Sequence, residues 1–179
     1  NLMYGYVGGV PSSTQVWTAL YAKNMTYYNN SWVPWYNLHK TYAGLRDAWL
    51  YAGDETAKTM FLKLCDWGVR ITSPLSDAQM QLMLDKEYGG MNEVYADAYQ
   101  MTGNPTYLTA AKRFSHKVLY DNMRLNSSVY LDGKHANTQI PKVIGFERVA
   151  QLDPSATTYH TASLNFWKNV VDKRTLALG

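Results

Sequence analysis

Residues 34–53 read PWYNLHKTYAGLRDAWLYAG, which is the pattern of one complete helix. Pro34 suits a first helical turn, because the backbone N–H that proline lacks would have no partner there. Apolar side chains recur at steps of three and four, as on one face of a helix, at Leu38, Tyr42, Leu45, Trp49 and Ala52. Gly53 is typical of the residue that follows a helix. We therefore predict a helix that starts at Pro34 and ends at Gly53.

The same arrangement occurs three times at intervals of about 50 residues. Each copy begins with polar side chains, reaches a turn and continues into an aromatic-rich return helix. The turns fall at Gly53, Gly103 and Asp153. The polar openings are Tyr36-Asn37-Leu38-His39-Lys40, Gly89-Gly90-Met91-Asn92-Glu93 and His135-Ala136-Asn137-Thr138-Gln139. This repetition predicts stacked helical hairpins whose polar starts share one end.

The repeat length predicts an all-α fold. Three hairpins of about 50 residues are half of an (α/α)6 toroid, or barrel, which contains six of them. An open solenoid of the tetratricopeptide kind fits less well, because its repeats have about 34 residues. We predict a single partial toroid domain over residues 1–179. It would consist of an N-terminal loop region at 1–31, with one short helix around Gln15 to Lys23, and three helical hairpin repeats at 32–179.

Two prolines refine the helix boundaries. Pro105 is predicted to begin the return helix of the second repeat, which would carry an apolar side as far as Val118. Pro141 would damage the middle of a helix but is tolerated in a first turn. The third inner helix is therefore predicted to start close to Thr138.

Charge, hydropathy and cysteine usage exclude several classes of function. The formal charge of +3 is spread thinly, so nucleic acid is not an expected partner. No apolar run approaches the roughly 20 residues that span a bilayer. Cys65 is the only cysteine, which excludes an internal disulfide and a multi-cysteine metal site in this chain, and we assign it to packing. The chain begins at Asn1, and we expect it to be part of a longer polypeptide.

Hydrogen-bonding side chains gather at the polar starts of the predicted inner helices. Amides, imidazoles and a carboxylate can donate and accept hydrogen bonds to a ligand with many hydroxyls, so a sugar is the favoured ligand. The predicted substrate-binding residues are His39, Asn92, Glu93, His135, Asn137 and Gln139. Structural roles stay open at this stage, with His39 bonded to a backbone carbonyl or Glu93 supporting the start of its helix.

A catalytic pair is not evident in the sequence. Glycoside hydrolysis usually needs two carboxyl side chains about 5 to 9.5 Å apart. Glu93 is one candidate, but Asp97, one helical turn further on, is expected to point into the helix packing. His116 and His160 are assigned to packing or to the surface. The catalytic residues therefore stay unassigned.

Four motifs together resemble a known family. They are Gly5-Tyr6-Val7-Gly8-Gly9-Val10-Pro11, Val33-Pro34-Trp35-Tyr36-Asn37-Leu38-His39-Lys40, Glu87-Tyr88-Gly89-Gly90-Met91-Asn92-Glu93 and His135-Ala136-Asn137-Thr138-Gln139-Ile140-Pro141-Lys142. In this order they resemble the catalytic domain of the β-L-arabinofuranosidase-like proteins, glycoside hydrolase families 127 and 146. The resemblance covers essentially the whole chain, which would be the N-terminal part of that domain only. It implies an (α/α)6 barrel followed by β-sandwich domains.

The resemblance also implies a reaction. Members of this family are exo-acting retaining hydrolases that remove L-arabinofuranose from plant-type glycans. Their nucleophile is a cysteine held on zinc with other cysteines and a glutamate, and a separate glutamate is the general acid/base. These residues are expected beyond Gly179, and Cys65 matches none of the motifs. Zinc is therefore expected in the full-length protein but no cofactor in this chain, which is expected to be inactive alone.

By position, the resemblance implies sugar-binding roles for His39, Asn92, Glu93 and His135. Asn137 and Gln139 are further candidates from the same motif. A secreted or periplasmic location is also implied. The linkage that is cleaved and the oligomeric state do not follow from the sequence.

Two other functions stay open. A helical toroid also suits a polysaccharide lyase or a sugar epimerase, in which a His/Tyr pair moves protons at carbon. Lyases that act on uronates need several cationic side chains facing the carboxylate, whereas the polar starts contain only Lys40, Lys134 and Lys142. A non-enzymatic helical scaffold, which binds glycans or proteins through its concave face, is the third hypothesis.

Overall fold

The structure is a computed structural model that describes residues 1–176, in which every regular element is a helix. The α-helices are α1 (Ser13–Tyr21), α2 (Met25–Asn29), α3 (Pro34–Ala52), α4 (Glu55–Thr72), α5 (Asp77–Leu84), α6 (Met91–Thr102), α7 (Pro105–Arg113), α8 (Lys117–Arg124), α9 (Ala136–Leu152) and α10 (Thr157–Val171). A short 3₁₀ helix, Ser128–Leu131, follows α8. No helix in residues 1–176 combines the length and the apolar character needed to cross a membrane.

Three antiparallel hairpins build the molecule. They pair α3 with α4, α6 with α7 and α9 with α10, and α8 packs on α10. Helices α3, α6 and α9 pack side by side in that order, and we call them the inner helices. The prediction of an all-α fold that forms part of an α/α toroid is confirmed.

The first two hairpin turns have the same construction. Gly53 and Gly103 follow α3 and α6 with φ of 67° and 70°, a left-handed conformation that glycine adopts without steric cost. The next residue caps the return helix, because Asp54 accepts a hydrogen bond from the Ala57 N–H and Asn104 accepts one from the Thr106 N–H. The first two repeats are therefore alike in the backbone conformation and the hydrogen bonds of their turns, as well as in sequence.

The third inner helix starts earlier than predicted. Helix α9 begins at Ala136 and not near Thr138, so Pro141 lies in its second turn. The missing N–H of Pro141 leaves the carbonyl of Asn137 without its helical partner. Since Asn137 is exposed, water can bond that carbonyl and the helix continues.

The return helix of the second repeat is broken, and the prediction of one helix from Pro105 to Val118 was wrong. Residues 114–116 separate α7 from α8. Gln81 of α5 bonds both sides of the break: its amide donates to the Ser115 carbonyl and its carbonyl accepts from the Lys117 N–H. The break is stable because these backbone groups are satisfied from a different helix.

The N-terminal region contains more helix than predicted. One short helix was expected around Gln15 to Lys23, and the structure has α1 at Ser13–Tyr21 and α2 at Met25–Asn29. Trp17 of α1 is fully buried against Trp35 and Trp67, with ring centroids 4.8 and 5.0 Å away. This aromatic cluster fixes the N-terminal region against the first hairpin and the start of α3.

Candidate functional site

Charged side chains show that the inner helices share one register. Nη1 of Arg46 on α3 lies 2.6 Å from Oδ2 of Asp97 on α6, and Nε of Arg148 on α9 lies 2.8 Å from Oδ1 of Asp97. Each of these residues is 51 positions from the next, within one residue of the 50-residue spacing of the turns. Since the contacts join equivalent positions of successive repeats, the amino ends of the three helices lie at one edge.

The start of α6 meets α3 at Gly90. A Cβ atom at Gly90 would lie 2.8 Å from Nε2 of His39 and 2.9 Å from Oε2 of Glu93. A Cβ atom at Gly89 would lie 3.6 Å from Cα of Tyr36. Because neither position carries a side chain, α3 approaches the start of α6 closely. The His39 imidazole and the Glu93 carboxylate therefore reach the same point, and these are two of the predicted site residues.

His39 is a neutral imidazole with free hydrogen-bonding capacity. Burial, assisted by the positive charges of Lys40 and Arg46, lowers its pKa to about 4. Neither ring nitrogen has a hydrogen-bond partner in the described part of the chain. The expected alternative, a histidine bonded to a backbone carbonyl, is therefore absent from the structure. A neutral imidazole has one donor and one acceptor, but both ring nitrogens of His39 are buried, so a ligand reaches them only if neighbouring groups move.

Glu93 is fixed on one side and open on the other. Its Oε1 lies 3.3 Å from Nη1 of Arg46, and 22% of the side chain is exposed. Burial raises the pKa of the Glu93 carboxyl, and the charge of Arg46 opposes this rise. Oε2, the oxygen that approaches Gly90 beside His39, is left to accept a hydrogen bond.

Asn92 joins two inner helices. Its side chain is 1% exposed, donates to the Lys142 carbonyl on α9 at 2.8 Å and accepts from the Glu93 N–H at 3.0 Å. The space for it comes from Gly145, where a Cβ would lie 2.1 Å from the Asn92 carboxamide. These contacts give Asn92 a positioning role at the start of α6.

The other three predicted residues lie at the start of α9. Of these, His135 is the N-cap residue just before the helix and only the other two lie within α9; His135 and Asn137 are exposed. Gln139 is buried, and its amide donates to Thr138 Oγ1 at 2.8 Å while its Oε1 has no partner in the described chain. None of the three forms a hydrogen bond with His39, Asn92 or Glu93 in the region that the structure describes.

A cleft extends from Glu93 along the inner helices. It has a volume of 470 Å³. Its lining residues include Arg46, Arg148, Glu93, Asp97, Gln100 and Tyr51. Asp97 is only 12% exposed between Arg46 and Arg148. Asp97 was expected to point into the helix packing, but it lines the cleft and shares Nη1 of Arg46 with Glu93, and ion pairs with both arginines occupy its two oxygens.

Glu87, which is not one of the predicted site residues, caps α3. Val33, at the N-cap position, provides no side-chain bond. Glu87 replaces it, accepting hydrogen bonds from the N–H groups of Trp35 and Tyr36 at 3.2 and 3.0 Å and from the Tyr28 hydroxyl. Burial raises the pKa of Glu87 to about 7, and these hydrogen bonds limit the rise.

A buried chain of polar contacts lies beneath the first turn of α9. Nζ of Lys142 lies 3.0 Å from Nδ1 of His116, and Nε2 of His116 lies 2.9 Å from Oδ1 of Asp85. Lys142 therefore donates to a neutral imidazole that donates to Asp85. Burial lowers the pKa of Lys142 to about 8 and that of His116 to about 4. The prediction that His116 is a packing residue agrees with its 3% exposure.

The described residues do not fit a metal centre. No group of three or more His, Cys, Asp or Glu side chains in residues 1–176 is placed to hold a metal ion. Cys65 is fully buried in the core, and burial raises the pKa of its thiol well above the usual value. A buried neutral thiol is a poor nucleophile and a poor metal ligand.

The fold and the site together define a class of protein. It is a partial α/α toroid whose hydrogen-bonding side chains lie at the amino ends of its inner helices. Residues 3–179 match the family model described as beta-L-arabinofuranosidase, GH127 catalytic domain, and the chain belongs to that family. The family is one of glycoside hydrolases, so the substrate class is carbohydrate. A comparison with curated proteins finds no match.

Proposed function

We propose that this chain provides part of the sugar subsite of an exo-acting retaining hydrolase that releases L-arabinofuranose from plant-type glycans. The observation that supports this proposal is the convergence of His39 Nε2 and Glu93 Oε2 beside Gly90. A neutral imidazole without partners and a partly exposed carboxylate oxygen suit a neutral ligand with hydroxyl groups.

Both ring nitrogens of His39 are buried, so binding requires a small movement of the groups around them, after which one sugar hydroxyl can use both groups. It would donate its proton to Oε2 of Glu93 and accept a hydrogen bond from His39 when Nε2 carries the hydrogen. Arg46 holds the other oxygen of Glu93, so the acceptor is oriented before the ligand arrives. The partial positive charge at the start of α6 favours a hydroxyl oxygen or carboxylate at this point.

The reaction itself needs groups that this chain does not supply. Cys65 is buried in the core and its thiol is neutral, and Asp97, which shares Arg46 with Glu93, is held in ion pairs with Arg46 and Arg148. We propose that the nucleophile, its zinc and the acid/base glutamate belong to a longer protein with β-sandwich domains. The 179-residue chain alone should therefore release no arabinose.

The lyase alternative has less support. Binding of a uronate requires cationic side chains free to face its carboxylate. Arg46 and Arg148 lie in the cleft, but both bond the Asp97 carboxylate, and Arg46 also bonds Glu93. Their charges are thereby largely neutralised.

Calorimetric titration with methyl β-L-arabinofuranoside tests the proposal. We expect saturable binding by the chain, at least tenfold weaker binding by Glu93→Gln, and unchanged binding by Glu55→Gln, which alters an exposed carboxylate on α4. Methyl α-D-glucopyranoside should not bind. Equal binding by all three proteins, or none by the unaltered chain, would contradict the sugar subsite.

An activity assay with an aryl β-L-arabinofuranoside tests the second part of the proposal. No product should form with the purified chain. Release of arabinose that disappears in Glu93→Gln would show that the chain contains a complete catalytic site.

A further inference from the structure

A second pocket lies on the other flank of α3. It has a volume of 610 Å³ and is formed by the loop at residues 9–12, the end of α2 and the first turn of α3. Its wall includes Gly9, Ser12, Tyr27, Trp32 and Asn37. Two of the motifs quoted above, at residues 5–11 and 33–40, therefore meet at this pocket.

The lining of the second pocket suits a neutral sugar residue. Trp32 is 90% exposed and Tyr27 is 44% exposed, so both rings present flat apolar faces to solvent. The hydroxyl of Ser12 and the carboxamides of Asn30 and Asn37 are exposed beside them. Among residues 1–176, no charged side chain lines the pocket. Aromatic faces with amide and hydroxyl groups bind sugar rings by stacking and hydrogen bonding.

The second pocket and the His39–Glu93 site lie at the same end of α3. Successive residues of a helix are 100° apart, so Tyr36 and Lys40 lie between His39 on one flank and Asn37 on the other. The helix rises only about 3 Å from Asn37 to His39. Asn37 and His39 point about 160° apart around α3, so a glycan that joins the two sites has to cross the face of α3 that carries Tyr36 and Lys40.

We propose that this pocket is a second sugar subsite, which holds the glycan residue adjacent to the arabinofuranosyl unit with Trp32 as its stacking platform. This inference rests on the proposed function, since it assigns the first sugar to His39 and Glu93. Its ligand is a neutral saccharide with an apolar ring face. Trp32 contributes binding of the second sugar only.

Calorimetry with two ligands tests this inference. The probes are methyl β-L-arabinofuranoside and the methyl glycoside of a β-linked L-arabinofuranosyl disaccharide. Trp32→Ala should weaken disaccharide binding by about five- to tenfold and leave monosaccharide binding unchanged. Trp167→Ala is the matched control, because Trp167 on α10 is also exposed, at 65%, but lines a different groove. It should change neither affinity.

The outcomes separate the two proposals. If the chain binds the monosaccharide and Trp32→Ala leaves disaccharide binding unchanged, the second subsite is wrong and the proposed function stands. If the chain binds neither ligand, both the proposed function and the second subsite are wrong. Trp32→Phe, which keeps an aromatic face, should retain most of the disaccharide affinity, and a loss equal to that of Trp32→Ala would overturn the stacking role.

Discussion

Gly90 is the residue that controls the distance between His39 and Glu93, the two groups of the proposed sugar subsite. A methyl group there would approach His39 Nε2 and Glu93 Oε2 within 3 Å, and both are ends of flexible side chains. We therefore predict that Gly90→Ala displaces them, weakening binding of methyl β-L-arabinofuranoside about tenfold while lowering the free energy of unfolding by less than about 1 kcal/mol. Calorimetry and urea unfolding measure the two effects.

Gly44→Ala is the control for this substitution. Gly44 lies in the middle of α3, where no atom lies within 4 Å of an added Cβ. Alanine should stabilise the helix there by about 0.5 to 1 kcal/mol and leave binding unchanged. A Gly90→Ala variant with unaltered sugar affinity would show that the His39–Glu93 spacing is unimportant.

His39 gives a prediction for pH dependence. Its pKa in the folded chain is about 4, below the usual 6.5, so His39 takes up a proton in the unfolded chain first as pH falls. Stability from neutral His39 is therefore present above pH 6.5 and is lost as pH falls towards 4. The Cε1–H resonance of His39, assigned with His39→Phe, should titrate with a midpoint near 4 in NMR. A midpoint near 6.5 would mean that the imidazole is solvated.

At the residue scale, the sequence predicted one contact of the proposed site. His39 and Glu93 were selected from the polar openings, and the structure brings them together. Arg46 and Asp97 were not selected as partners, although their separation of 51 residues is close to the repeat period of about 50. That spacing could have indicated the Arg46–Asp97 contact. The contact can be inferred from the spacing only when the register of the helices is known.

Helix α3 depends on a cap from a different segment. Glu87 accepts three hydrogen bonds at the start of α3, two from backbone N–H groups. Glu87→Ala leaves these buried donors unsatisfied, so we predict a decrease of about 2 to 4 kcal/mol in the free energy of unfolding. Urea denaturation measures it, with the exposed Glu55→Ala as control. A loss below about 0.5 kcal/mol would show that α3 needs no cap from Glu87.

The contact between α6 and α9 gives a second prediction at this scale. Gly145→Ala would drive a methyl group into the buried Asn92 side chain, so we expect a loss of about 1 to 3 kcal/mol. Removal of Asn92 creates room for that methyl group. The double variant Asn92→Ala/Gly145→Ala should therefore be more stable than the sum of the single effects implies, by at least about 0.5 kcal/mol. Additive effects in urea denaturation would contradict direct packing.

Helix boundaries were predictable where local chemistry sets them. Gly53 and Gly103 end helices through their own backbone conformation, so their turns follow from the sequence. The break between α7 and α8 did not follow, because Gln81 of another helix satisfies the backbone at Ser115 and Lys117. Such a partner is visible only in three dimensions.

At the scale of the whole molecule, the repeat determines both fold and site. Equivalent positions in successive hairpins contact one another, as Arg46, Asp97 and Arg148 show. This places the inner-helix starts at one edge, as the polar openings predicted. Which residues of the polar openings face the proposed site was less predictable. Asn92 and Glu93 are neighbours in sequence, but the Asn92 side chain bonds α9 and the Glu93 side chain bonds α3.

The central claim is that the start of α6 and His39 of α3 form one sugar subsite. Mapping by ¹H–¹⁵N NMR during titration with methyl β-L-arabinofuranoside tests it most directly. The largest shift changes are predicted at the amides of Gly89, Gly90 and Glu93 and at the His39 ring, with Trp167 on α10 unaffected. Saturable changes confined to the α9–α10 groove around Trp167, with Gly90 and His39 unmoved, would contradict the account.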